Sequence, residues 1–260
     1  MNRADNPVRP RAGSGSSAVV ATELATEAGR RLLALRENAA AGTDPAELRK
    51  SGDRMSHELL AALLAEWFPE DAVLSEEGAD DHARLSADRV WIVDPLDGTR
   101  EFGEPGRDDW AVHVALVEGG ELTAGAVAMP ALGVTYSSDA HFDSFAQPIP
   151  PEPRVVVSRT RRPEPVMAMA SALGAELIEM GSAGAKAMAV VRGDADVYAH
   201  TGGQYEWDSA APAAVARAAG LHVSRIDGSD LIYNQEDPWL PDLLICRPEL
   251  AGKALEALRR

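Results

Sequence analysis

The sequence predicts an α/β fold made of two halves, and three observations predict it. Two long stretches near the N-terminus carry apolar residues at helical spacing and are followed by short runs of strand composition. From residue 154 to residue 258, strand and helix patterns alternate, as in an α/β layer. Between them, residues 146–153 are rich in proline, which favours an extended linker. We therefore expect a disordered tail at 1–15, an N-terminal half at 16–147 and a C-terminal half at 148–260.

The N-terminal half is predicted to begin with two helices. The first starts at Ser17, and its apolar residues recur every three or four positions. The second runs from about Asp53 to Trp67, with Asp53 at the position of an N-cap. Strands are predicted to follow at 72–77, 90–93, 110–117, 122–129 and 134–136.

The C-terminal half is predicted to alternate between strands and helices. The glycine-rich stretch 201–203 is predicted to be a loop, and Asp208 follows it at the start of a helix. The predicted strands lie at 154–158, 177–180, 195–199, 221–225 and 242–246, and the predicted helices lie at 165–173, 181–192, 207–219 and 249–258.

Composition and charge exclude several classes of protein. The chain has 260 residues and is 45% hydrophobic, so it can bury a large core. A formal net charge of −16, without Lys/Arg clusters, argues against a nucleic-acid or anionic-membrane surface. Cys246 is the only cysteine, the first residues lack the pattern of a secretory signal, and no apolar segment approaches the ~20 residues that span a bilayer. We expect a soluble, cytoplasmic protein.

The functional interpretation of the sequence starts from the stretch between Val90 and Phe102. An apolar run of strand composition ends in Asp94-Pro95-Leu96-Asp97-Gly98-Thr99, where Pro and Gly favour a tight turn. The two carboxylates, the Leu96 carbonyl and the Thr99 hydroxyl are oxygen donors, which a hard cation such as Mg²⁺ prefers. The alternative is an ordinary polar turn at the end of a strand, since Asp, Pro and Gly are common turn residues.

Four acidic residues at strand ends or helix starts are candidates for one site: Glu76, Asp94, Asp97 and Asp208. Clustered carboxylates repel each other unless cations lie between them, and two Mg²⁺ bridged by one carboxylate would neutralise them. Bound cations would also let so acidic a chain accept an anionic substrate. Each residue has a simpler alternative: Glu76 as a solvated strand end, Asp208 as a helix N-cap.

A second candidate region is the small-residue helix start Gly181-Ser182-Ala183-Gly184-Ala185-Lys186. Free amide groups and the helix dipole suit such a start to an anion. The alternatives are that the small residues serve close helix packing and that Lys186 extends to solvent. His113, within an apolar strand, is predicted to be a hydrogen-bonded core histidine rather than a metal ligand.

These residues together resemble the inositol monophosphatase family of Mg²⁺-dependent, lithium-sensitive phosphatases. The resemblance rests on Leu74-Ser75-Glu76-Glu77, on Trp91 to Thr99 and on Trp207-Asp208, in the family's order, and it covers roughly residues 17–260. Arg100-Glu101-Phe102, the run from Gly181 to Met188 and Glu206-Trp207-Asp208 further resemble its CysQ branch, the actinobacterial 3′-phosphoadenosine 5′-phosphate phosphatases of sulfur assimilation. The resemblance implies a layered αβαβα sandwich with the active site between the halves, two or three Mg²⁺ ions, and a homodimer as a frequent assembly.

The resemblance also implies roles for individual residues. Glu76, Asp94 and the Leu96 carbonyl would hold a first cation, and Asp94, Asp97 and Asp208 a second. Asp53 would work with Thr99 on the attacking water, and the amides of Gly98 and Thr99 would hold phosphoryl oxygens. The chain departs from the family around Asp53, where Lys-Ser-Gly-Asp-Arg replaces the usual Val-Thr-x-x-Asp. Helix capping is therefore an alternative role for Asp53.

The resemblance leads to a substrate prediction. Ser182, Gly184, Ala185 and Lys186 align with the family's leaving-group pocket, and the charge of Lys186 suits a second phosphate. Ser158 and Arg159 are further candidate donors. We therefore predict hydrolysis of 3′-phosphoadenosine 5′-phosphate to AMP. The alternatives are inositol 1-phosphate or fructose 1,6-bisphosphate as substrate, or a divalent-cation sensor or scaffold without turnover.

Overall fold

The computed structural model describes residues 16–40, 42–142 and 148–259. The predicted tail at 1–15 and part of the proline-rich segment lie outside these residues. The helices are α1 Ser17–Glu37, α2 Pro45–Trp67, α3 Thr99–Phe102, α4 Glu164–Leu173, α5 Ala183–Val191, α6 Glu206–Ala218 and α7 Pro248–Leu258. The strands are β1 Ala72–Ser75, β2 Arg89–Asp97, β3 Ala111–Glu118, β4 Glu121–Met129, β5 Val134–Ser137, β6 Arg154–Ser158, β7 Glu176–Met180, β8 Val197–Tyr205, β9 His222–Ser224 and β10 Trp239–Cys246. Short 3₁₀ helices lie at His82–Ser86 and Pro130–Leu132.

The first sheet contains β1 to β5 in sequential order. β1 pairs with β2 in parallel, and the other pairs are antiparallel. Both faces of β2 and β3 are buried, because alternate residues of a strand point to opposite sides. Trp91 and Val93 face the cluster with α1 and α2, whereas Val90 and Ile92 face the cluster with α5 and α6. Strand β3, at the predicted strand position 110–117, is the central strand of this sheet.

The second sheet has the order β7-β6-β8-β10-β9. Its outer face packs on α4 and α7 in a separate apolar cluster. Its inner face shares a core with α5, α6 and the first sheet. The layers are therefore α1/α2, sheet, α5/α6, sheet and α4/α7, and the predicted αβαβα sandwich is confirmed. The division into two halves near 146–153 stays a prediction.

Several boundaries differ from the sequence prediction, and three of them bear on the site. Strand β2 continues to Asp97, past its predicted end at 93, so Asp94 and Asp97 belong to the strand. Helix α2 begins at Pro45, with Asp44 as its N-cap accepting a hydrogen bond from the Ala46 amide, so Asp53 lies inside the helix and the capping alternative is wrong. The stretch 201–203 belongs to β8 rather than to a loop, since β8 continues pairing with β10 across a bulge between Leu240 and Asp242. Glycine tolerates the positive φ of such a bulge, and Gly202 and Gly203 have φ of +93° and +89°.

The helices of the described part include none with the length and hydrophobicity that a bilayer span requires.

Candidate active site

The C-terminal end of β2 carries the two carboxylates of the predicted turn, Asp94 and Asp97. Asp94 is 1% exposed, and its Oδ1 accepts a hydrogen bond of 3.0 Å from the Leu96 amide. The chain then turns at Gly98, whose φ is +81°. A Cβ at Gly98 would lie 3.0 Å from the Cβ of Ser182, so glycine also allows the turn to pack against the start of α5.

Three of the four predicted metal ligands meet at one point. One carboxylate oxygen from each of Asp94, Asp97 and Asp208 lies within 4.8 Å of the other two. Asp94 and Asp97 end β2, and Asp208 comes from the first turn of α6 in the other half of the chain. A set of carboxylate oxygens without nitrogen or sulfur fits a hard cation such as Mg²⁺.

Glu76 joins this cluster through Asp94. The residue follows β1 and is exposed, but its carboxyl lies close enough to that of Asp94 for the two to share a hydrogen bond. Burial of the carboxyl and repulsion from Asp208 and Asp97 raise the pKa of Glu76 to about 7. Burial and the charge of Glu76 raise the pKa of Asp94 well above its ordinary value. Either a proton or a cation must therefore lie between the two carboxyl groups.

Asp97 is held by the N-terminus of α5. Its carboxylate accepts hydrogen bonds from the amides of Ala183 at 3.1 Å and Gly184 at 2.6 Å, and from the Ser182 hydroxyl. Burial alone would raise the pKa of Asp97, but the neighbouring His113 and Ser182 outweigh it and hold this pKa well below its ordinary value. The helix start that the sequence suggested for an external anion thus binds a carboxylate of the chain itself.

His113 is the expected hydrogen-bonded core histidine. It is fully buried, its Nδ1 lies 3.0 Å from the Trp207 carbonyl oxygen, and its Nε2 lies 3.2 Å from Oδ2 of Asp97. Burial opposes its charge, yet Asp97 raises the pKa of His113 above the ordinary value. A Cβ at Gly184 would lie 2.1 Å from Nε2, so only glycine fits beside this ring.

Asp208 occupies the third position of α6, not the N-cap, which is Tyr205. Its Oδ2 accepts a hydrogen bond of 2.6 Å from the Tyr205 amide. Burial, with repulsion from Asp97, raises the pKa of Asp208 to about 6. Asp208 thus caps the backbone with one oxygen and leaves the other for the cluster.

Asp53 and Thr99 lie beside the cluster. The Thr99 hydroxyl is 3.2 Å from Oδ1 of Asp53 and 2.9 Å from the Leu96 carbonyl oxygen, so its single proton can serve one of them at a time. The Ser56 hydroxyl donates to the Pro95 carbonyl at 2.7 Å and ties α2 to the turn. Burial and the charge of Glu77 raise the pKa of Asp53 to about 6.

A cavity of about 340 Å³ opens next to the acidic cluster and is lined by both halves of the chain. Of the residues predicted to bind substrate, Ser158, Ser182 and Lys186 line it. Ala185 is instead fully buried in the core, and the Gly184 amide is already bound to Asp97. Gly98 and Thr99 form the turn beside the cavity rather than its lining.

Lys186 does not extend to solvent. It is 6% exposed, and its ammonium donates to the carbonyl oxygens of Gly181 and Ser182. Burial lowers the pKa of Lys186 to about 8, against the attraction of Asp97. The packing of α5 against β8 therefore keeps this amine at the cavity wall, 5.4 Å from the centre of the Tyr198 ring.

Sequence reasoning missed several residues of the cavity wall. Arg159 pairs with Glu101 at 2.6 Å and with Glu104 at 2.7 Å, so it joins the halves instead of lining the cavity. The alternation of side chains along β8 could have suggested Tyr198 and His200. Nothing local indicates the others. The lining residues for which the sequence predicted no role include Arg100, Thr160, Arg161, Tyr198, His200, Gln204 and Tyr205.

Comparisons with known proteins agree with this geometry. A model of the inositol monophosphatase family matches residues 15–260. A 3′-phosphoadenosine 5′-phosphate phosphatase of Mycobacterium leprae is 50% identical over 256 residues, covering 94% of each chain. A protein of the same name from Mycobacterium bovis is 53% identical over 241 residues, covering 89% of each chain. The crystal structure of CysQ from Bacteroides thetaiotaomicron matches with a TM-score of 0.73 at 29% identity, covering 91% of this chain and 99% of that one.

The family match spans residues 15–260, a range that includes the acidic cluster and the residues lining the cavity. The αβαβα layers are also those of the matched structures. The chain belongs to the inositol monophosphatase family and is a phosphatase.

Proposed function

We propose that the chain is a Mg²⁺-dependent phosphomonoesterase that removes the 3′-phosphate of 3′-phosphoadenosine 5′-phosphate to give AMP. One observation carries this proposal. The cavity wall joins two carboxylates of the cluster, Asp97 and Asp208, to the cations Arg100, Arg161 and Lys186. The carboxylates would hold the metal ions that bind the phosphate to be removed, and the cations would bind the second phosphate of the substrate.

Asp94, Asp97, Asp208 and Glu76 are the proposed ligands of the ions, with the Leu96 carbonyl. The raised pKa values of Glu76, Asp94 and Asp208 support this, because buried like charges at these positions call for a cation. When bound, Mg²⁺ supplies positive charge to the phosphate oxygens and acidifies water. Two or three ions remain part of the proposal.

Thr99 and Asp53 are proposed to orient the attacking water and to take its proton. The Thr99 hydroxyl can donate to Asp53 and accept a hydrogen bond from water on its free lone pair. A pKa of about 6 leaves the Asp53 carboxylate ionised at neutral pH yet basic enough to receive a proton. The backbone amides of Gly98 and Thr99 are proposed to donate hydrogen bonds to phosphoryl oxygens.

The second phosphate is proposed to bind between the two arginines. Two donors of the Lys186 ammonium are directed at backbone carbonyls, so this amine contributes mainly charge. In the described ranges, no hydrogen bond or ion pair engages the guanidinium group of Arg161 or Arg100, and both residues are exposed at the cavity. Arginine donors in a planar fork suit a phosphate group.

The relatives support the adenosine bisphosphate as substrate, since two of them at 50% and 53% identity carry the name 3′-phosphoadenosine 5′-phosphate phosphatase. A cytoplasmic location is proposed because the single cysteine, Cys246, is buried and free, as in a reducing compartment. The homodimer is proposed on the family resemblance alone.

The test measures release of inorganic phosphate during a Mg²⁺ titration. The substrates are inositol 1-phosphate, fructose 1,6-bisphosphate and adenosine 3′,5′-bisphosphate, which is another name for 3′-phosphoadenosine 5′-phosphate. We expect release to require Mg²⁺ and kcat/KM to be highest for the adenosine bisphosphate. A higher kcat/KM for either other substrate would refute the substrate. Mg²⁺ binding without release from any of them would favour a sensor or scaffold.

A pair of adjacent arginines tests the second-phosphate position. Arg161→Ala should raise KM for adenosine 3′,5′-bisphosphate about 10-fold or more, since hydrogen bonds to charged groups are the strong ones. The same variant should leave KM for adenosine 3′-phosphate, which lacks the second phosphate, nearly unchanged. Arg162→Ala is the control, because Arg162 pairs with Glu179 outside the cavity. Equal effects of both variants would argue against the assignment.

A further inference from the structure

The amide of Gln204 has no partner within the part of the chain that the structure describes. Gln204 lines the cavity and is 7% exposed, yet neither its Oε1 nor its Nε2 makes a hydrogen bond. Buried amide groups in folded proteins are nearly always paired. The Tyr198 hydroxyl, on the same cavity wall, is buried and unpaired as well. Two such groups on one wall indicate polar partners that enter the cavity.

The residue next to Gln204 offers a flat apolar surface. Tyr205 lines the same cavity and is 45% exposed. Its ring stacks on that of Trp207, with centroids 4.7 Å apart and planes inclined by 11°. Trp207 covers one face of the Tyr205 ring, so the exposed area belongs to the rest of the ring. An aromatic ring held in this way is a stacking surface for another planar group.

We propose that Tyr205 and Gln204 form a subsite for the adenine base, an assignment that rests on the function proposed above. The Tyr205 ring would stack on the base. The Gln204 amide would pair with the base edge, donating from Nε2 to N7 and accepting at Oε1 from the N6 amino group. This bidentate pairing is a common way for Gln to recognise adenine. A change of rotamer at χ1 or χ2 would bring the Gln204 amide to the cavity without a change in the backbone, and the soft terminal torsion would then align it with the base edge.

The cavity wall contains three kinds of groups. Asp97 and Asp208 belong to the acidic cluster, and the cations Arg100, Arg161 and Lys186 supply positive charge for phosphate. Gln204 and Tyr205 are uncharged and therefore suit the part of the substrate that carries no charge. Guanine presents two acceptors, N7 and O6, at the edge where adenine presents an acceptor and a donor. Gln204 thus acts as a specificity-determining residue that prefers adenine over guanine.

The test compares three substrates in the Mg²⁺-loaded enzyme: adenosine 3′,5′-bisphosphate, guanosine 3′,5′-bisphosphate and the base-free fructose 1,6-bisphosphate. Gln204→Leu should lower kcat/KM for the adenosine compound about 10-fold or more, mainly through KM. Rates with the other two substrates should change less than about twofold, because neither presents the acceptor and donor of the adenine edge. Tyr205→Leu should weaken both nucleotides about equally and spare fructose 1,6-bisphosphate, because stacking does not distinguish the bases.

Two further measurements keep the test decisive. Gln204→Glu keeps the side-chain shape but loses the amide donor, so it should show the same adenine-selective loss if the leucine variant does not fold. Gln235→Leu is the matched control, because Gln235 is exposed and lies outside the cavity wall. Calorimetric binding of AMP, with metal chelated, reads the subsite without turnover and should weaken about 10-fold in Gln204→Leu.

Equal losses with all three substrates, or no loss with any, would overturn the adenine subsite. Such results would leave the proposed function intact as long as the wild-type enzyme hydrolyses adenosine 3′,5′-bisphosphate. Failure of the wild-type enzyme to hydrolyse that compound would instead refute the proposed function, and AMP binding would still decide the role of Gln204.

Discussion

Replacing Asp208 with asparagine should stabilise the metal-free protein while it removes activity. Asparagine keeps an oxygen that can accept the hydrogen bond from the Tyr205 amide, so the start of α6 keeps its cap. The substitution removes one negative charge from the group formed with Asp94 and Asp97. Its effect on the free energy of unfolding therefore reports the electrostatic cost of the cluster.

The magnitude follows from the pKa of Asp208, which burial raises from 3.8 to about 6 in the folded chain. A raised pKa means that the folded state binds this proton more tightly than the unfolded state, so stability falls as pH rises from about 4 to about 6. Each pH unit corresponds to ~1.4 kcal/mol, and the full cost above pH 6 is therefore about 3 kcal/mol. Asp208→Asn should recover it at pH 8 and recover almost nothing near pH 4.

The assay is urea unfolding in the presence of a chelator at pH 8 and near pH 4, repeated with saturating Mg²⁺ at pH 8. Mg²⁺ should stabilise the wild type strongly, because it binds the folded state only, and should stabilise the variant less. Turnover should fall by more than about 100-fold, since even the outer partners of metal ligands are worth about 10- to 100-fold. Asp230→Asn, at an exposed carboxylate, is the control and should change nothing.

A variant that is less stable than the wild type at pH 8 without metal would show that Asp208 contributes attraction rather than repulsion. Mg²⁺-dependent turnover near the wild-type rate would show that Asp208 holds no ion. Either result would refute the reasoning.

Three further predictions concern the same site. Gly184→Ala, whose Cβ would lie 2.1 Å from His113, should lower the free energy of unfolding in urea by about 1–3 kcal/mol, whereas Gly252→Ala, where nothing lies within 4 Å, should raise it slightly. Thr99→Val should lower kcat about 100-fold or more in the phosphate-release assay with KM little changed, and Thr99→Ser should restore most of it; an unchanged kcat would contradict the water-orienting role. Asp94→Asn should abolish turnover while circular dichroism shows an intact fold, and near-normal Mg²⁺-dependent activity would refute its bridging role.

The strands and the acidic turn were predictable because their signals are local. The alternating faces of β2 and β3 follow from side-chain direction along a strand. The oxygen-rich turn around Asp94 follows from residue types within a few positions of each other. The sequence placed the start of α2 too late, although Asp44-Pro45 is itself a helix-start signal. The reason is that the residues after Pro45 face solvent and show no apolar stripe.

By itself, the sequence determined the order of elements, the two-faced central strands and the carboxylates available to a cation, since short-range pattern and chemistry suffice for these. Only the tertiary structure decided which groups are already paired and which are open. Asp97 uses the α5 amides that sequence reasoning assigned to an outside anion, and Lys186 binds backbone carbonyls. Arg161 and Gln204, which the sequence did not single out, line the cavity instead. Pairing depends on residues that are distant in the chain and meet only when the layers pack, and no local pattern carries that information.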